Sequence, residues 1–329
     1  MSDKPRLGFL GTGWIGRHRM EAMLATGLVD AGAIVDPSAE MRAEAAALAP
    51  DAATVDTIDE LLTMDLDGLV IATPSAQHAE QSVRALEAGL AVFCQKPLGR
   101  TEAEARAVVD AARSADRLLG VDLSYRFTRG MEAIRTAIQS GELGRVFAAD
   151  LTFHNAYGPG KPWFLDPAQS GGGCVIDLGV HLVDLALWAL DWPEVVAVES
   201  HLLAGGVPLT DPAACCEDYA VATLRLAGGA IVRLACSWHL PAGTEAVIGA
   251  EFYGDGGAAA LRNVGGSFYD LAATRMAGTQ RWELAPVDSD WGGRAAADWA
   301  RRLASGEGID PDAERLVDVA RLLDRIYQR

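Results

Sequence analysis

A short apolar run, RLGFL, passes directly into Gly11-Thr12-Gly13-Trp14-Ile15-Gly16 and then into a helical stretch over residues 14–25. Strand, glycine turn and helix in that succession restrict the chain more than any other feature. Gly11 is expected to make the tight turn, Gly13 to let backbone N–H groups approach a pyrophosphate, and Gly16 to allow close packing of helix on strand. The start of the helix, at Trp14 and Ile15, then presents its amides and its dipole to phosphate charge. A second strand, DAGAIVD, ends in Asp36, twenty residues beyond Gly16, where a carboxylate accepts hydrogen bonds from an adenine ribose and repels a 2′-phosphate. NAD is therefore expected in preference to NADP, and no further feature asks for a flavin.

The same alternation continues. DGLVIAT precedes HAEQSVRALEAGL, AVFCQ precedes TEAEARAVVDAARSADR, and LLGVDL closes the series near residue 122. Strand-helix alternation predicts an α/β domain of the Rossmann type over residues 1–122, a doubly wound parallel sheet with helices on both faces. Beyond the helical stretch MEAIRTAIQSGELG the pattern becomes strand-rich: RVFAADLTFHN, EVVAVESHLLA, EDYAVATLRLAGG, AIVRLACSWHL and EAVIGAEFYG, with glycine turns between several of them. Direct hairpins predict an α+β domain with an open, largely antiparallel sheet over residues 123–329. A final helix is expected from Asp310 and Pro311, as cap and first-turn proline, through PDAERLVDVARLLDRIYQ.

Composition removes several classes of function. A net charge of −17 argues against nucleic acid and anionic membrane as partners, because such binding rests on Lys and Arg. The N-terminus, MSDKPRLGFLGTG, lacks the basic, apolar and small-residue order of a secretion signal, so a cytoplasmic location is expected. The apolar stretch 175–192 carries Asp177, His181, Asp184 and Asp191, too many polar groups for a membrane span. Five cysteines without CxxC spacing read as buried reduced thiols.

Chemistry is expected at strand ends, where ligands of open α/β sheets lie. One strand end carries Thr73 and Pro74, with His78 opening the next helix; another carries Gln95 and Lys96 before Pro97. In GGGCVIDLGVHLVDL, residues 171–185, Asp177 and His181 are four apart and stack on one helical face, with Asp184 nearly on the same side. A satisfied helical Asp-His pair is the structural alternative. Cys174, Asp177 and His181 also have the spacing of zinc ligands, but no second ligand cluster supports that, and no metal is expected. Tyr125, Arg126, His154, Asn155, Tyr157 and Trp163 fall in segments suited to lining a pocket for a polyhydroxylated ring, Arg126 also being suited to a carboxylate.

The combination of strand-GTGWIG-helix, ATPSAQHA, a lysine-proline pair after the fifth strand, YRF at 125–127 and GGG followed by DLGVHLVD resembles the Gfo/Idh/MocA oxidoreductase family across essentially the whole chain. The resemblance implies a Rossmann domain joined to a C-terminal α+β domain whose sheet mediates homodimers or homotetramers. It implies hydride transfer between a nicotinamide cofactor and a hydroxyl or carbonyl of a sugar, cyclitol or related polyol. It also implies a catalytic trio of Lys96, Asp177 and His181. Related folds serve transient-redox glycoside hydrolases and cofactor-binding regulators, two further classes of function. One departure stands out: Gln95 occupies the place where the family's Glu-Lys-Pro pattern has glutamate.

Overall fold

The computed structural model describes residues 4–329; Met1, Ser2 and Asp3, the start of the lead read above for a secretion signal, lie outside the described residues. The chain forms two compact units. One comprises residues up to Asp122 together with Gly292–Ala320, and the other Leu123–Trp291 with Arg321–Arg329.

In the first unit β1 (Arg6–Leu10), β2 (Asp30–Val35), β3 (Ala53–Thr54), β4 (Gly68–Ile71), β5 (Ala91–Cys94) and β6 (Leu119–Val121) form a parallel sheet in the order β3-β2-β1-β4-β5-β6. β4 and β5 are buried at every position, as strands covered on both faces must be. Between them run α1 (Trp14–Leu24), α2 (Ala39–Leu48), α3 (Ile58–Leu62), α4 (Ser75–Glu87) and α5 (Glu102–Ala115). The strand order reverses between β1 and β4, which makes the carboxyl ends of those two strands the place where such a sheet opens a crevice. Ser38, Thr57 and Thr101 cap α2, α3 and α5 with side-chain oxygens, whereas α1 and α4, which follow β1 and β4, begin at Gly13 and Pro74 without a side-chain cap.

The second unit opens with α6 (Arg129–Gln139), β7 (Val146–Asn155), the short α7 (Pro167–Ser170) and α8 (Val180–Ala189). The remaining strands are β8 (Val195–Ala204), β9 (Val207–Pro208), β10 (Tyr219–Leu226), β11 (Ile231–Ser237), β12 (Ala246–Gly254), β13 (Gly257–Asn263), β14 (Leu271–Ala277) and β15 (Gln280–Asp288). The nine strands run in the order β15-β14-β13-β12-β7-β11-β10-β8-β9, antiparallel throughout except for the parallel pair β7 and β11. Two aspects differ from the sequence expectation. β7 inserts between β11 and β12 instead of standing at the start of a chain of hairpins. β9 and β13 to β15 were not expected: β13 and β14 are rich in alanine and β15 is mostly exposed, so none shows a clean apolar alternation. The Asp255-Gly256 turn between β12 and β13 was the available signal.

Residues 292–320, assigned by the sequence pattern to the second domain, pack with the first unit. In α9 (Arg294–Ala304) the buried Trp299 lies against Phe93 with ring centroids 5.8 Å apart. Its ring fills the space that a Cβ at Gly68 of β4 or Gly120 of the edge strand β6 would need, at 2.9 and 2.6 Å, so two strand glycines admit one tryptophan. A turn at Pro311–Ala313, capped by Asp310, leads into α10 (Glu314–Tyr327); Ala313 of the turn and Val317 and Ala320 of α10 join the core that holds Leu69, Val92 and Val108. The stretch Pro167–Ala189 is long and apolar enough to cross a membrane, but 89% of its most apolar window is buried inside the protein. It is a core segment.

Candidate active site

The glycine turn of the first unit is shaped for close approach. Gly11 has φ +85°, and a Cβ there would meet the Ala72 carbonyl oxygen at 2.6 Å; a Cβ at Gly16 would lie 2.1 Å from the Gly11 carbonyl oxygen. Gly13 opens α1, and no side chain caps the first-turn amides or places acid among them, so they face whatever anion enters. Trp14 is 59% exposed and stacks on His18; Ile15 is half-buried. Asp36 is tied to the turn, its Oδ2 accepting from the Thr12 amide at 2.7 Å and its Oδ1 from the Ser38 amide at 2.9 Å. A phosphate-binding turn with a carboxylate beside it fits a dinucleotide, pyrophosphate at Gly11 to Gly16 and ribose at Asp36.

The ends of β4 and β5 carry the other expected cofactor residues. Thr73 donates through its hydroxyl to Gln81 Oε1 at 2.6 Å, and Pro74 starts α4. His78, expected at the cofactor, is instead fully buried, with Nδ1 2.7 Å from the Pro97 carbonyl oxygen and Nε2 2.7 Å from that of Thr73. Burial lowers its pKa against the pull of both carbonyls. It braces the two strand ends: one ring nitrogen donates to a backbone carbonyl and the other faces the second. Gln95 is buried and donates through Nε2 to Asp122 Oδ2 at 2.5 Å, the oxygen that also accepts from Arg19 Nε at 2.5 Å. Arg19 Nη1 donates onward to His18 Nδ1 at 2.8 Å. Lys96 follows directly, half-buried past the end of β5.

In the second unit the helical run that carries Asp177 and His181 does not begin as an α-helix. Val175–Gly179 is one π-helical turn, and α8 follows it. Asp177 lies within the π-turn, whereas His181 and Asp184 lie in α8. Asp177 Oδ2 accepts from Trp238 Nε1 at 3.0 Å. His181 sits among aromatic rings, with Tyr125 at 4.9 Å and Phe153 at 6.3 Å between centroids, and Tyr125 packs in turn on Trp291 at 4.6 Å. Asp184, expected beside them, is turned into the core. It accepts from Arg126 Nε at 2.8 Å and from Arg126 Nη2 as well, and Trp188 and Trp192 lie 6.0 and 5.3 Å from the guanidinium.

That ion pair corrects the reading of Arg126 as a substrate ligand, since its planar fork is occupied by a carboxylate of its own chain. Tyr125 is buried against His181, with its pKa raised by burial. His154 bonds Ser237 Oγ at 2.8 Å and stacks on Tyr219. Asn155 Oδ1 accepts from the Tyr157 amide at 2.9 Å, a local turn; Tyr157 is exposed and donates to Glu245 at 3.3 Å; Trp163 stacks on Phe164 at 3.8 Å. The Cys174 thiol, weighed above as a zinc ligand, is directed to the Cys236 carbonyl at 3.5 Å and lies 3.8 Å from Cys236 Sγ. Sequence reasoning passed over Glu217 and Trp238, which touch the segment carrying Asp177. A fully buried glutamate leaves no mark in a strand-like sequence.

A doubly wound parallel sheet with an uncapped glycine turn at its switch point defines a dinucleotide-binding α/β class. Residues 6–123 match the oxidoreductase family model with an NAD-binding Rossmann fold, and residues 131–260 match the Gfo/Idh/MocA C-terminal domain. The chain belongs to the Gfo/Idh/MocA family, and its first unit is an NAD-binding Rossmann domain. It is 30% identical over 211 residues to a D-glucoside 3-dehydrogenase of Escherichia coli K12, covering 61% of this chain and 60% of that protein. It is 35% identical over 202 residues to a 1,5-anhydro-D-fructose reductase of Ensifer adhaerens, covering 60% of each. The match thus spans about three-fifths of these relatives' length. Among solved structures, GenD2 from gentamicin A biosynthesis in complex with NAD superposes with a TM-score of 0.82 at 25% identity, covering 100% of this chain and 94% of that one.

Proposed function

We propose that the protein is an NAD-dependent dehydrogenase or reductase acting on a CH–OH group of a sugar, cyclitol or related polyol. The observation that carries the reading is the retention, in a chain of this family, of Lys96 past β5 together with Asp177 and His181 in one helical run. Bound NAD supplies the hydride acceptor. His181 takes the hydroxyl proton as general base and returns it in reduction. The Lys96 ammonium stabilises the negative charge developing on the reacting oxygen. Asp177, steadied by the Trp238 indole, orients the substrate or His181. Asp36 favours NAD over NADP, because its carboxylate would stand against a 2′-phosphate.

The first experiment follows nicotinamide reduction by absorbance with NAD or NADP against inositols, aldoses, sugar acids and amino sugars. Signal with NAD on one ring class is the expected result. On that substrate Lys96→Ala and His181→Ala each lower kcat about a hundredfold, equivalent to roughly 3 kcal/mol of transition-state stabilisation. Wild-type rates in both variants would refute the assignment. Sugar release without net NADH would point instead to transient-redox hydrolysis.

We also propose a homodimer or homotetramer through the sheet face opposite α6 and α8, where Glu199, Thr223, Arg225 and Arg233 alternate with buried neighbours. Light scattering tests it. The five free thiols support a reducing, cytoplasmic setting.

A further inference from the structure

Glu217 precedes β10 and is fully buried, yet no step above uses it. Its Oε2 accepts from the Gly173 amide at 3.0 Å, and its Oε1 accepts from the Val175 amide at 2.8 Å and from the Tyr327 hydroxyl at 2.7 Å. Its backbone carbonyl accepts from the Cys174 amide at 3.0 Å. Three consecutive amides at the start of the run carrying Asp177 and His181 therefore end on one residue more than forty positions away in sequence. These are the N–H groups that a helix start cannot satisfy internally, and Cys174 provides no side-chain cap.

The glycine triplet takes its shape from this carboxylate and its partner. A Cβ on Gly173 would lie 1.9 Å from the Glu217 carbonyl oxygen, and one on Gly172, at φ +153°, would lie 2.1 Å from the Tyr327 hydroxyl oxygen. Arg329 adds a bond to the Gly171 carbonyl at 3.1 Å. The constraint passes on at once, because the Gly173 carbonyl accepts from the Asp177 amide at 3.1 Å.

We propose that Glu217, with Tyr327 as its partner, is a positioning residue that sets the orientation of Asp177 and His181 by holding the glycine turn from which their helix starts. Residues 327–329 are thereby part of the support of the site. This rests on the reading of Asp177 and His181 given under Proposed function, but the anchoring itself has a readout independent of turnover. Trp238 donates its indole N–H to Asp177, so its resonance reports where that carboxylate stands.

The test compares Tyr327→Phe and Glu217→Gln with the wild type in the full-length protein. Tyr327→Phe removes one hydroxyl with little change of volume. In Glu217→Gln one of the amides of Gly173 and Val175 must face an NH2 group. The Trp238 indole resonance, assigned through Trp238→Phe, is expected to shift in both variants while those of Trp14 and Trp299 in the first unit stay in place. On the identified substrate kcat falls about tenfold, NAD affinity stays within twofold, and the pH profile of kcat moves. An unmoved Trp238 resonance with kcat within twofold of wild type overturns the proposal, as does a parallel shift of Trp14 and Trp299. If Glu217→Gln does not fold, Tyr327→Phe decides by the same criteria. Should Trp238 shift while His181→Ala proves catalytically silent, the anchor stands and the acid-base reading falls.

Discussion

Gln95 shows how a single exchange is absorbed. The family pattern has glutamate here, but in this chain the carboxylate is provided by Asp122, 2.5 Å from the Gln95 amide and equally close to Arg19. Restoring the acid by Gln95→Glu would bring a second buried carboxylate against that of Asp122, and like charges in contact favour retention of a proton on one of them. The expected loss is about 1–3 kcal/mol in urea denaturation, recovered largely in the double variant Gln95→Glu with Asp122→Asn. Additive losses in the double variant would show that the two positions are not coupled. Residues whose task is set by their own backbone were legible in the sequence: Gly11 and Gly16 stand where a Cβ would strike a carbonyl oxygen, and Asp36 ends the second strand. His78 was not, because nothing local distinguishes an imidazole facing a ligand from one facing the carbonyls of Thr73 and Pro97.

At the scale of elements, the helical run 175–189 departs from its sequence reading in one physical respect. It opens with a π-turn where a regular α-helix is expected, and eight of the ten residues of α8 are buried. A helix apolar almost all round has no wet face for Asp184, whose hydrogen-bond partner among the described residues is Arg126, from the segment ahead of α6. Removing the partner by Arg126→Ala strands a buried carboxyl, at a cost of about 3–5 kcal/mol. The cost depends on pH with a definite sign. Burial raises the Asp184 pKa above its ordinary 3.8, with Arg126 opposing. The folded state therefore holds a proton that the unfolded state releases, a stabilisation present below about pH 4 and lost as pH rises through the folded value. Without Arg126 that value climbs further, so the deficit of the variant relative to wild type is expected to be small near pH 4 and to widen toward pH 7. Urea midpoints at successive pH values measure it, with Arg126→Ala combined with Asp184→Asn as the recovered control; a deficit independent of pH would contradict the assignment.

For the whole molecule, the return of residues 292–320 to the first unit makes that unit discontinuous in sequence. Trp299→Ala empties the space beside Phe93, Gly68 and Gly120, and a cavity of that kind costs about 3–5 kcal/mol. The lower unfolding midpoint is expected to rise again with NAD, by about 2.7 kcal/mol at a hundred times its Kd, since ligand bound only to the folded unit stabilises by mass action. A midpoint unchanged from wild type would place the stability of the unit elsewhere. The sequence by itself determined the parallel first sheet and the glycine turn, and it singled out Asp36, Lys96, Asp177 and His181 as candidates, because periodicity, φ restriction and strand ends are properties of consecutive residues. Only the tertiary structure decided which polar groups are spent on the protein's own interior. Asp122 takes Gln95, Arg126 takes Asp184, Glu217 takes the glycine turn and Trp299 takes two strands of the first sheet. The partner of a buried group is chosen by which distant segments the core brings within hydrogen-bond reach, a relation that no spacing along the chain encodes.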